Sequence, residues 1–204
     1  MVDNATIRAN ARAQLGGNIF SNYWLMMLVC GLIANLIIAV ASSIPFLSLI
    51  VMGPIYYGFA RVAKNRACGY PTVEFSDLFT GFTENLAGSI ILGLMRYIFT
   101  FLWALLLIVP GVIKSYSYAM CHFIQQDDPS KDWKTCINES MQMMEGHKWD
   151  LFCIDVVMIL WSLLGVLACG IGVFFVIPYQ QMSHANFYLA LKASREPAHA
   201  DPMA

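Results

Sequence analysis

Charge is what this sequence of 204 residues most lacks. Asp, Glu, Lys and Arg make up 12% of it, against about 25% in soluble globular chains. The scarcity is uneven. From Ala13 to Ala60, 48 consecutive positions hold no Asp, Glu, Lys, Arg or His. Between Asn85 and Gln126 the only basic residues are Arg96, Lys114 and His122, and between Val156 and Leu191 only His184 interrupts. Runs of this kind exclude an ordinary soluble domain. The 12 Lys and Arg nearly balance the 13 Asp and Glu, so there is no basic field to draw nucleic acid.

Patterned chemistry is also missing. Cys30, Cys68, Cys121, Cys136, Cys153 and Cys169 form no C-x-x-C pair, which argues against a zinc site or a disulfide framework. The four histidines show no H-x-x-x-H spacing, and there is no G-x-S-x-G, P-loop or G-x-G-x-x-G. No catalytic, metal or cofactor residues are assigned on this basis, and the chain reads as a non-enzyme.

What is present is apolar. Hydrophobic residues are 58% of the chain and the mean hydropathy is +0.61. A hydrocarbon core about 30 Å thick needs roughly 20 helical residues to cross, so each uncharged run is near two spans long. Each has turn residues near its middle: Ser42-Ser43-Ile44-Pro45, Pro110-Gly111 and Gly170-Ile171-Gly172. The pattern predicts an all-α membrane protein with six transmembrane helices as three hairpins, plus interfacial amphipathic helices. It forms a single membrane domain over 1–204. Residues 1–18 are an N-terminal interfacial segment, 19–191 the spans and their connections, and 192–204 a flexible tail.

Hairpins place ten of the twelve cations on one side, at Arg8 and Arg12, Arg61, Lys64 and Arg66, Lys131, Lys134 and Lys148, and Lys192 and Arg195. By the positive-inside rule that side is the cytoplasm, with both termini on it. A five-span alternative runs one helix from Tyr97 to Ile113 and loses this bias. Ala39-Val40-Ala41 fits a signal-cleavage pattern, but the apolar run from Ile19 is too long for one and another span follows at once.

The connections carry amphipathic segments. Ile7, Ala11 and Leu15 share a helical face beside Arg8 and Arg12, as in a helix lying on a membrane surface. Ser76 is expected to cap a short helix bearing Phe75, Leu78, Phe79 and Phe82. Asp128-Pro129 is expected to open another, with Trp133, Cys136, Ile137, Ser140, Met141 and Met144 at helical spacing. Phe79, Phe82, Trp133, Met144, His147 and Lys148 thus form a candidate cytoplasmic interface for lipid or a partner. Within the apolar runs, Arg96, Lys114 and Asp155 form a candidate intramembrane polar site, because charge at membrane depth is costly. Structural roles compete with that reading: snorkelling of Asp155 and Lys114 to opposite interfaces, and internal pairing of Arg96. Asn35 and His184 read as interhelical hydrogen-bonding residues.

Several blocks recur in a fixed order: Gly53-Pro54, Asp77-Leu78-Phe79-x-Gly81-Phe82, Leu102-Trp103, Pro110-Gly111-Val112-Ile113-Lys114, Asp128-Pro129, Gly146-His147-Lys148, Gly170-Ile171-Gly172, Pro178-Tyr179 and Phe187-Tyr188. Together they resemble the bacterial membrane family called domain of unknown function 975, over about Ala9 to Leu191. The resemblance implies a multi-pass protein of the bacterial cytoplasmic membrane and carries no activity or site residues. The expected function is a non-enzymatic accessory component. Its expected partners are the lipid bilayer and a membrane-protein partner or a second copy of the chain. A small transporter or channel using Arg96, Lys114 and Asp155 is the alternative.

Overall fold

The computed structural model describes residues 4–16, 21–43, 47–70, 74–167 and 172–195. Within them the regular structure is entirely helical. The elements are α1 (Asn4–Gln14), α2 (Asn22–Ala41), α3 (Leu47–Ala67), a 3-10 turn (Phe75–Phe79) running into α4 (Thr80–Thr83), α5 (Leu86–Leu106), α6 (Ile108–Ser117), α7 (Cys121–Asp127), α8 (Trp133–Met143), α9 (Lys148–Leu167) and α10 (Gly172–Arg195). Three of these, α2, α5 and α9, are long and apolar enough to cross a membrane. The turn candidates at 44–45 and 170–171 lie outside the described residues.

The middle hairpin turns at Leu107, whose extended backbone (φ −161°, ψ 138°) separates α5 from α6. The chain then folds back on itself. Gly111 abuts Ala104, the Lys114 ammonium lies 5.1 Å from the Trp103 ring, and the Phe99 and Tyr118 rings are 6.4 Å apart. A single helix over Tyr97–Ile113, as five spans require, is thereby overturned. The turn falls three residues before Pro110-Gly111. Pro110 sits instead in the first turn of α6, where its missing N–H costs no helical bond. The return arm is itself broken between Ser117 and Cys121, giving the short α7.

Helix α3 lies at the centre, against α2, α5, α7, α10 and the 3-10 turn. Its glycines allow this. A Cβ on Gly53 would overlap the Ser89 carbonyl of α5, and one on Gly58 would overlap the Leu78 carbonyl. Gly81 of α4 in turn faces the Pro54 carbonyl with no room for a side chain. Small residues that admit backbone-to-backbone contact are the usual means of packing helices in an apolar solvent, where burial supplies no net drive.

Some boundaries differ from the sequence reading. Glu74, not Ser76, opens the 3-10 turn: the Glu74 N–H donates to Asp77 at 3.2 Å in a capping box. Helix α8 starts at Asp132, whose carboxylate accepts from the Trp133 N–H at 2.9 Å. Asp128 instead closes a turn onto the Ser130 N–H at 3.0 Å, a local bond that Asp side chains form readily. The face of α1 bearing Ile7 and Ala11, continued by Leu15, is buried, and α1 packs mainly against α10. Protein covers this face, not lipid. Helix α10 runs on to Arg195, into the segment expected to be a tail; residues 196–204 lie outside the described ones.

Because Gly58 touches backbone, Gly58→Ala must push α3 away from the 3-10 turn. Overpacking of this kind costs about 1–3 kcal/mol. Reversible unfolding in mixed micelles is expected to show a loss of that size, and an unchanged midpoint would argue against this contact.

Candidate functional site

Three polar clusters interrupt the apolar packing. The first surrounds Asp155, one of the few buried ionisable residues. Its Oδ1 accepts from His184 Nε2 at 2.7 Å and from Gln180 Nε2 at 3.2 Å. Tyr116 of α6 packs nearby, its ring 5.9 Å from that of Phe152 on α9. Gln180 and His184 are one turn apart on α10, so they present one face to α9. The cluster therefore joins α9 and α10, with α6 packed alongside. A carboxylate held between two apolar helices by two donors has its charge compensated by protein groups.

The second cluster centres on Asp127, at the end of α7. Lys64 Nζ of α3 lies 2.7 Å from Oδ1, and Lys192 Nζ of α10 lies 2.6 Å from Oδ2. The Tyr188 hydroxyl also donates to Oδ2. Partial burial would raise the pKa of this carboxyl, but hydrogen bonds from Lys192, Lys64 and Tyr188 outweigh it and hold the group below the ordinary value. Three helices converge on one charge.

The third cluster is buried and incompletely paired. His122 and Gln125 lie one turn apart on α7, and Tyr57 is on α3. His122 Nδ1, both side-chain polar atoms of Gln125 and the Tyr57 hydroxyl have no hydrogen-bond partner. The Tyr56 ring stacks on His122 at 5.9 Å, with the Arg96 guanidinium 6.0 Å from Tyr56. Gln126 donates to the Tyr57 carbonyl at 2.7 Å.

The three intramembrane candidates are thus not brought together. Arg96 faces Tyr56, Asp155 faces His184, and Lys114 faces Trp103 and a cleft shared with Lys148. Lys114 and Lys148, from α6 and the start of α9, line one cleft. Asn35 bonds the Gly31 carbonyl of its own helix at 2.8 Å, so it ties no second helix, whereas His184 does.

The candidate interface residues divide as well. Met144 is fully buried in the core, because the last turn of α8 faces inward. Trp133 and Phe82 are partly buried and packed on the core, with Trp133 6.2 Å from Phe99. Phe79 is 40% exposed, His147 pairs with Asp150 at 3.2 Å, and Lys148 lines the cleft with Lys114. The sequence reading missed Gln180, Tyr116 and Asp127. Gln180 was legible from its spacing to His184. The roles of Asp127 and Tyr116 depend on helices remote in sequence.

The family described as protein of unknown function DUF975 matches residues 26–195. The chain belongs to that family. No curated protein and no solved structure matches it.

The Asp127 cluster gives a pH dependence with a definite sign. A carboxyl whose folded pKa is depressed stabilises the fold fully above its unfolded value, here near the ordinary 3.8. That contribution is lost as pH falls through the lower folded value. Asp127→Asn is expected to cost about 1–2 kcal/mol at neutral pH, a range set by charged hydrogen bonds at a partly exposed site. In detergent melts the gap between wild type and variant should close on acidification below that value. A gap independent of pH would contradict the charge assignment.

Proposed function

We propose that this member of the DUF975 family is a non-enzymatic component of the bacterial cytoplasmic membrane whose inner face engages lipid or a membrane partner. The observation carrying this reading is a division of surface. Large apolar side chains stand exposed along α2, α5, α6 and α9, including Leu36, Phe101, Leu105, Ile108 and Trp161. Apart from Arg96, Lys114 and Asp155, the charged residues gather elsewhere, on α1, the end of α3, the segment from the 3-10 turn to α4, the end of α7, the α8 region, the start of α9 and the end of α10. Arg66 donates to the Gln14 carbonyl at 2.8 and 2.7 Å, and Asn4 donates to the Asp150 carbonyl at 3.2 Å. Such a surface is soluble only where its apolar part is covered.

The hairpins α2–α3 and α9–α10 cross the bilayer in this reading, with both ends on the cytoplasmic side. Six crossings, the fuller version, need the Leu107 turn on the outer face. Lys114, however, shares its cleft with Lys148, at the cytoplasmic start of α9. Seven residues of helix from Lys114 back to Leu107 span about 10 Å, far short of a core about 30 Å thick. In this reading the hairpin α5–α6 enters from the inner side and turns without emerging, although α5 alone is long and apolar enough to cross.

A transporter reading retains one supporting observation, the Asp155–His184 pair between apolar helices, since paired ionisable groups at membrane depth often relay protons. Proton flux in liposomes that Asp155→Asn leaves unchanged would remove that support.

Cysteine-accessibility labelling tests the topology. An impermeant reagent outside intact cells should reach a cysteine at Ser42, and fail to reach one at Lys131 or Leu107. Outside labelling at Leu107 would restore six crossings, and outside labelling at Lys131 would defeat the orientation altogether.

A further inference from the structure

The cleft shared by Lys114 and Lys148 has a volume of about 210 Å³ and is lined by Lys114, Ser117, Met141, Gln142, Glu145 and Lys148. Three elements build it: α6, the last turn of α8 with the residues after it, and the start of α9. Two lysines from separate parts of the chain thus line one small space. Among the described residues neither lysine takes part in an ion pair, whereas Arg61, Lys64, Lys131 and Lys192 all do. Asp150, the next carboxylate along α9, is engaged by His147. Glu145 is the one acid lining the cleft. At its edge the Arg195 guanidinium donates to the Gln142 carbonyl, adding a third cation. Counting Glu145, the site is net positive; the Lys114 ammonium has the Trp103 ring 5.1 Å away, and among the described residues no carboxylate forms an ion pair with either lysine.

The size of the space limits what meets it. Sites for drug-sized ligands begin at about 300 Å³, and each water takes about 30 Å³. The cleft has room for a few waters or one tetrahedral oxyanion. The surroundings then choose the source of that oxyanion. Val112 and Ile113, beside Lys114, are exposed, as are Trp149 beside Lys148 and the run Leu105 to Val109 at the hairpin turn. An inorganic phosphate has no use for the exposed apolar surface that neighbours the two lysines in the chain. A phosphodiester carrying two acyl chains does, and a tryptophan next to the cations suits the headgroup level.

We propose that this cleft binds the phosphate of an anionic phospholipid, with Lys114 and Lys148 on the phosphate oxygens and the acyl chains along the exposed face of α5–α6. Glu145 opposes the bound charge and keeps the affinity moderate. The proposal rests on the chain being a lipid-contacting membrane protein, and it names the lipid class and the residues that select it.

Native mass spectrometry of the full chain from mixed micelles, titrated with phosphatidylglycerol and with phosphatidylcholine, tests it. Phosphatidylglycerol is expected to be retained in preference. Lys114→Gln and Lys148→Gln should each weaken its retention about fivefold, the scale of one cation near an anionic lipid surface. Lys114→Arg should restore it, and Glu145→Gln should strengthen it. Lys134→Gln, on the exposed face of α8, should leave it unchanged. Melting curves of the same variants establish that they are folded. Equal retention of the two lipids, insensitivity to both lysines, or displacement by millimolar inorganic phosphate would overturn the proposal. An unexpected labelling pattern at Leu107 would instead overturn the topology and leave lipid selection standing, so the two failures are distinguishable.

Discussion

Close approach of helix backbones at α3 is the constraint on which this architecture depends. In an apolar solvent, side chains gain little by leaving lipid for protein, so association relies on packing density and on hydrogen bonds. Gly53, Gly58 and Gly81 remove the side chains that would hold α3, α4 and α5 apart. With that distance fixed, Gln126 reaches the Tyr57 carbonyl and Lys64 reaches Asp127. The 3-10 turn is also fitted between them, with Leu78 wholly buried against α3. Widening the contact by one methyl group would act on all of these together.

Charge is handled by concentration, not by dispersal. Asp127 takes two ammonium groups and a phenol; Asp155 takes an imidazole and an amide. Each carboxylate joins helices that the loops alone would leave loosely related, and each lies where an isolated charge would be expensive. Lys114 and Lys148 depart from this pattern, since their cleft holds two cations and one acid. Buried His122, Gln125 and Tyr57 depart from it in another way, with polar atoms that no neighbour satisfies.

Much of the helical content was legible in the sequence because uncharged runs have few other ways to satisfy backbone groups away from water. The faces of α1 and α10 could be read from spacing: Ile7 with Ala11, and Gln180 with His184. Turn positions were harder. Pro110-Gly111 looked like a corner, yet Pro fits the first turn of a helix as well as a loop, and the chain reverses at Leu107 instead. Asp128-Pro129 posed the same ambiguity, and the cap fell to Asp132. Pairings across long separations were not readable. Nothing local to Lys114 marks Lys148 as its neighbour, and the helical spacing of Met144 with Cys136, Ile137 and Ser140 gave an apolar face without naming what covers it.

The docking of α1 has a consequence for the order in which the chain assembles. Asn4 bonds the Asp150 carbonyl, Arg8 receives the Tyr179 hydroxyl, and Gln14 accepts from Asn186. These partners lie 146, 171 and 172 residues further on, so α1 binds helices synthesised long after it. Until α9 and α10 have been made, the face bearing Ile7, Ala11 and Leu15 lacks the helix that mainly covers it. Its amphipathic character lets it rest on the membrane surface in that interval. A lipid-facing helix during synthesis and a protein-facing one afterwards call for the same sequence, and the arrival of α10 marks the moment of exchange.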